Sequence, residues 1–152
     1  MTQIIAYLNF NGNCREAMSF YQECIGGNLE LQIIKDSPIA SQCPAAIQNQ
    51  VMHSTLQKEN IILMGSDMIG PEGLNPGNNV GLMLNCSSDE EINNFFEKLS
   101  AGGNVIDPVS VKFWGAKFGA LVDKFGIRWM LHYDHNMNTA ATKQTIEAAS
   151  SN

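Results

Sequence analysis

One order of landmarks occurs twice along this chain, and the repetition constrains its fold more than any single segment does. Asn13 with Glu16 and Ser88 with Glu91 are helix-start pairs of capping-box spacing, set 75 residues apart. Behind the first, Ala17, Phe20, Tyr21, Cys24 and Ile25 recur with a helical period. Behind the second, Ile92, Phe95, Phe96 and Leu99 do likewise, and Phe95-Phe96 fall at the same offset from Phe20-Tyr21. Gly26-Gly27-Asn28 ends one helix and Gly102-Gly103-Asn104 the other. Identity between the halves is low, so order and landmarks carry the repeat. Strand–helix–strand–strand–strand, done twice, predicts an α+β fold.

The strand candidates fit this plan. Residues 4–10, 29–34, 51–56 and 61–64 make the first pass, and the second begins at 80–84. The second pass ends in the aromatic-rich stretch 113–133, FWGAKFGALVDKFGIRWMLHY. Its apolar runs 118–122 and 127–131 flank Asp123-Lys124-Phe125-Gly126, which reads as a hairpin turn with Gly126 at positive φ. Placing the turn at Lys58 over the turn at Lys124 sets Met64 opposite Met130. Residues 36–49 and the Gly- and Pro-rich 65–79 read as long loops. Residues 136–152 are polar and read as a flexible tail.

Charge and composition exclude several classes. With 9 basic against 15 acidic residues, net charge −6, the chain lacks the clustered cations that a nucleic-acid partner needs. No apolar run approaches the ~20 residues that span a bilayer, and residues 1–10 show no basic-then-apolar leader. Cys14, Cys24, Cys43 and Cys86 have no paired spacing and read as free thiols of a cytoplasmic protein.

The segments YLNFNGNCREAMSFY at 7–21, VMHSTL with His53, LMGSD at 63–67 and FWGAKFGALVDKFGIRWML at 113–131 stand in one order. Together they resemble the PhnB-like branch of the vicinal oxygen chelate superfamily, which includes glyoxalase I, extradiol dioxygenases and bleomycin-resistance proteins. The resemblance implies one domain over 1–135 built of two βαβββ modules, about 1–66 and 79–135. Their curled sheets would form a cleft with helices outside, usually in a homodimer. In metal-using members the ligands are His or Glu on the first and fourth strands of each module. Here those positions fall at Ala6, Met64, Leu82 and Met130, none a ligand for a hard or borderline divalent ion, so neither metal nor other cofactor is expected. Some relatives carry a demethylubiquinone methyltransferase label, yet no Gly-rich strand-to-helix loop suited to S-adenosylmethionine is present.

With Met64 and Met130 in the cleft, alternation predicts the other cleft residues. These are Ala6, Leu8 and Phe10 on the first strand, Ile62 and Ser66 on the fourth, and Leu82 and Leu84 on the fifth. Arg128 and His132 join them on the last, while Trp129 turns to the helices. Pairing Gln57 with Asn60 sets His53 across from Met64. Phe113 and Trp114 read as closing the cleft edge, Asp67 as capping the loop after it, and Cys14 as inert. The expected ligand-binding set is therefore His53, Met64, Ser66, Phe10, Leu82, Trp114, Arg128 and Met130. Such a cleft suits metal-independent binding of a small, largely apolar or aromatic molecule. The competing reading is an isomerase, lyase or ring-modifying enzyme using His53, the sole catalytic candidate, with Arg128 or a loop residue. A partner-binding dimer is the third.

Overall fold

Strand, helix and three further strands follow one another twice along residues 1–135, the part of the chain that the computed structural model describes. The expected tail at 136–152 lies outside the described residues. The first unit, Met1–Pro76, holds β1 (Ala6–Asn9), α1 (Cys14–Ile25), β2 (Asn28–Ile33), β3 (Val51–Lys58) and β4 (Ile61–Ser66). The second, beginning at Gly77, holds β5 (Leu82–Asn85), α2 (Asp89–Ser100), β6 (Asn104–Val111), β7 (Lys117–Val122) and β8 (Arg128–Tyr133). The sheets have matching orders, β1-β4-β3-β2 and β5-β8-β7-β6, in which the first strand of each unit pairs parallel to the last. A parallel partner needs a crossover connection, and the intervening helix and hairpin supply it.

The helices form where the periodicity places them, because each has one apolar face to bury. Ala17, Phe20, Tyr21, Cys24 and Ile25 of α1 are buried, joined by Cys14 and Met18, and Ile92, Phe95 and Leu99 of α2 are buried. The glycine pairs at the helix ends are a packing requirement as well as a stop signal. A Cβ at Gly27 would stand 2.7 Å from the Gln57 carbonyl oxygen, and one at Gly103 would collide with the Val122 carbonyl oxygen. Ser88 caps α2, accepting from the Glu91 amide at 3.1 Å, and Glu91 in turn accepts from the Ser87 amide.

Asn13 makes no side-chain cap bond at α1. That end is held instead by Asp67, whose Oδ1 accepts from the Gly12 and Cys14 amides at 2.9 and 3.0 Å. Its Oδ2 accepts from the Val51 amide at 2.9 Å. Asp67 therefore reaches back to α1 and β3, rather than capping the loop that follows it. One buried carboxylate ties the starts of α1 and β3 to the end of β4. Asp123 does related work in the second unit. It accepts from the Phe125 and Ile127 amides across the turn, where Gly126 has φ +87°, and from Trp129 Nε1 at 2.8 Å.

The register corrects two further expectations. The β3–β4 turn is the two-residue Glu59-Asn60, so Lys58 pairs with Ile61 and Thr55, not His53, stands across from Met64. This two-residue slip preserves the face, and His53 remains on the side of Met64. The second correction changes faces. Tyr7 pairs with Met64 and Leu8 with Gly65, while Met83 pairs with Met130 and Leu84 with Leu131. Directly paired residues share a face, so Ala6, Leu8, Phe10, Leu82 and Leu84 belong to the helix side. Phe10 is buried and stands beside Gly65 with Met18 of α1, and Leu84 is buried too.

Candidate functional site

Each sheet has one face packed on its own helix and one turned away from it, and the polar and sulfur-bearing side chains gather on the second. In the first unit, pairing sets Tyr7, Met64, Thr55 and Glu30 in a row across β1, β4, β3 and β2. The next row holds Asn9, Ser66, His53 and Gln32, with Asn9 paired to Ser66 and Gln32 to His53. The Tyr7 and His53 rings stack at 5.9 Å and 28°. His53 Nδ1 is 3.4 Å from the Tyr7 hydroxyl, and Nε2 is 3.3 Å from Thr55 Oγ1. The imidazole thus lies between two neutral hydroxyls that can each donate or accept. Ser66 takes little part in this surface, being buried and accepting from the Met68 amide at 3.2 Å.

The second unit repeats the pattern in different letters. One row runs Met83, Met130, Ala120 and the next Asn85, His132, Phe118. His132 Nδ1 and Asn85 Oδ1 are 3.1 Å apart, which makes that ring nitrogen the donor. Trp114 leans edge-on against Phe118 with centroids 6.3 Å apart, and Phe113 against Trp114 at 4.9 Å. Both rings at the rim are exposed, Phe113 at 98% and Trp114 at 51%. Arg128 heads the strand on this face, across from Val122, with its stem against Gly81. Its Nε is buried and has no hydrogen-bond partner among the described residues.

Of the residues expected from sequence, His53 and Met64 come together in the first unit. Arg128, Met130 and, through Phe118, Trp114 come together in the second. Phe10 and Leu82 do not join them, because the parallel pairing turns both toward the helices. Tyr7, Asn9, Met83, Asn85 and Phe118 stand on these faces and were missed. A signal for four of them was present: in Tyr7-Leu8-Asn9-Phe10 and Leu82-Met83-Leu84-Asn85 the apolar residues alternate with polar or sulfur-bearing ones.

The side chains on these faces do not suit a hard or borderline divalent ion. The corrected positions on the first and last strands of each unit are Tyr7, Met64, Met83 and Met130, which offer a phenol and three thioethers where imidazole and carboxylate are needed. Among the described residues no group of three or more His, Cys, Asp or Glu could hold an ion. Two of the buried thiols, Cys14 and Cys86, offer little nucleophilicity either. Burial pushes Cys14 up to about 11, although its 3.6 Å contact with Ser54 Oγ opposes the rise, and burial pushes Cys86 up to about 12.

A cavity of about 290 Å³ lies in the first unit, between Asn9 and the loop after β4. Met68, Ile69, Gly70, Glu72, Gly73, Leu74 and Asn75 complete its wall. Gly70 to Gly73 form a turn around Pro71, closed by the Gly73 amide donating to the Gly70 carbonyl at 3.0 Å.

Comparison with known proteins agrees with this architecture. A family model described as 3-demethylubiquinone-9 3-methyltransferase matches residues 2–132. The crystal structure of protein PA1353 from Pseudomonas aeruginosa is 38% identical, with TM-score 0.77, covering 88% of this chain and 98% of that one. The PhnB protein from Bacillus cereus is 28% identical with TM-score 0.70, covering 88% and 100%. Protein YjdN of Escherichia coli strain K12 is 29% identical, over 83% of this chain and 91% of its own length. At 14% identity and TM-score 0.52, the bleomycin resistance determinant encoded on transposon Tn5 shares the fold alone. With two matching βαβββ units and a family match over nearly the whole described chain, the protein belongs to the PhnB-like family, described as 3-demethylubiquinone-9 3-methyltransferase, and has the fold of the bleomycin resistance determinant.

Proposed function

We infer that this protein binds a small, largely apolar or aromatic molecule, without a metal, on the sheet faces turned away from the helices. The observation that carries the reading is the makeup of the second unit's face. Met83 and Met130 share that face with Phe118, and Trp114 rests on Phe118 with half its surface exposed. Thioethers and aromatic rings adapt to flat apolar ligands, and His132 and Asn85 supply polar groups that orient one. Tyr7, His53 and Met64 offer the first unit a similar combination.

Methyl transfer, the activity in the family's description, is not part of this reading. The β1–α1 connection has one glycine, Gly12, and the β5–α2 connection has none, so neither makes a Gly-rich cofactor loop. Catalysis by His53 is the second reading, favoured by its position between the Tyr7 and Thr55 hydroxyls. An acid–base role would make turnover depend on pH and on the ring, so His53→Gln would lower kcat far more than it weakens binding.

A homodimer in the cytoplasm completes the proposal. Val105, Ile106 and Val111 are exposed on β6, at the edge of its sheet, where a second copy would cover them. Four free thiols fit a reducing compartment. Native mass spectrometry of gently purified protein tests all three features. An organic adduct on a dimer without metal is expected, and about one bound divalent ion per chain would refute the metal-independent reading.

A further inference from the structure

We propose that the cavity between Asn9 and the loop after β4 is a subsite for a protonated amine carrying a short apolar or aromatic tail. The inference goes beyond the sheet-face reading: Asn9 is the one wall residue the cavity shares with that face, and the rest of the wall is the loop after β4. About 290 Å³ is room for a small organic molecule rather than a lone water. Glu72 sets the charge it would accept. Its carboxylate folds back over Gly70, so closely that a Cβ there would collide with both oxygens, and Gly70 and Glu72 both line the cavity. The turn closed between Gly70 and Gly73 fixes the backbone that carries Glu72.

No lining residue is cationic, and Glu72 is in neither of the ion pairs found among the described residues. Asn9 and Asn75 add amide groups that can accept the remaining N–H bonds of an ammonium, and Met68, Ile69 and Leu74 line it with apolar surface. The walls are anchored at both ends. Asn9 pairs with Ser66 on adjacent strands, and Asp67, which begins the loop, is buried and bonded to three backbone amides. The net charge of −6 raises the local concentration of cations and opposes anions.

The test is an amide-detected NMR titration of the full chain with phenethylammonium, run against 2-phenylethanol and 3-phenylpropionate at fixed ionic strength. Saturable shifts centred on Asn9 and the 68–75 loop are expected with the amine. Binding should be about tenfold weaker in Glu72→Gln, matched by weaker binding in Gly70→Ala, where the methyl displaces the carboxylate. Glu72 is exposed, so both variants should retain the wild-type spectrum elsewhere. Equal affinity for the alcohol and the amine, undiminished binding in Glu72→Gln, or no saturable shift of this loop would overturn the proposal.

Discussion

Replacing Asp67 should destabilise the first unit more than any surface substitution, and the size of the effect follows from its three partners. Asp67 is 5% exposed, and its two oxygens accept from the amides of Gly12, Cys14 and Val51 at 2.9–3.0 Å. Hydrogen bonds to a charged acceptor contribute about 1.5–3 kcal/mol each, but three on one group are not additive. Asp67→Ala leaves three amides without that acceptor, two at the start of α1 and one at the start of β3, and should cost ~3–5 kcal/mol. Asp67→Asn keeps one acceptor oxygen but turns an NH2 group toward at least one amide, and should cost ~2–3 kcal/mol. For a chain of this size the larger loss lowers the melting temperature by roughly 6–20 °C. Urea melts followed by far-ultraviolet circular dichroism measure it, and hydrogen exchange at the Cys14 and Val51 amides localises it. Asn13→Ala is the control, expected within about 0.5 kcal/mol because Asn13 makes no cap bond. A mild Asp67→Ala beside a severe Asn13→Ala would refute the reasoning.

Neighbours on β8 should respond oppositely. Trp129→Ala removes a fully buried indole and its bond to Asp123 and should cost ~3–5 kcal/mol, whereas Met130→Gln should cost on the order of 1 kcal/mol, as denaturant melts would show. Ser88→Ala removes a formed cap and should cost ~1 kcal/mol by the same assay. Thiol titration at pH 8 should modify half-buried Cys43 first, with Cys14, Cys24 and Cys86 reacting only on unfolding. Because burial raises the folded values of Cys14 and Cys86 above the ordinary thiol, their contribution is complete below about pH 9 and is lost as pH climbs through 11 to 12. Stability measured from pH 8 to 11 should fall, and Cys86→Ala should flatten the fall.

The repeat was legible because its physical causes are local. A helix cap, a 3.6-residue apolar period and a Gly-Gly stop can each be read within a dozen residues, and α1 and α2 formed where they pointed. The facing of β8 was legible for the same reason, since Trp129 and Leu131 alternate with Arg128, Met130 and His132. The facing of the first strands was not legible, because family ligand positions and local alternation point to opposite faces there. A parallel pairing of Tyr7 with Met64 and Met83 with Met130 decides the face, and Phe10 and Leu82 followed the wrong parity. The role of Asp67 was not legible. Its partners lie 16 to 55 residues away, and only the fold brings them to one carboxylate. The cavity beside Asn9 is walled by the loop after β4, which carries no periodic signal.

The methionine methyl groups give the most direct test of the central claim, that the sheet faces turned from the helices bind an apolar or aromatic molecule without metal. Met64, Met83 and Met130 stand on those faces, whereas Met18 is wholly buried on α1 and serves as the internal control. Protein labelled with 13C at its methionine methyls would be titrated with 1-naphthol in the presence of EDTA. Saturable shifts at Met64, Met83 or Met130, with Met18 unmoved and EDTA without effect, are the predicted result. No saturable shift at these methyls, or one that EDTA abolishes and a divalent metal restores, would contradict it.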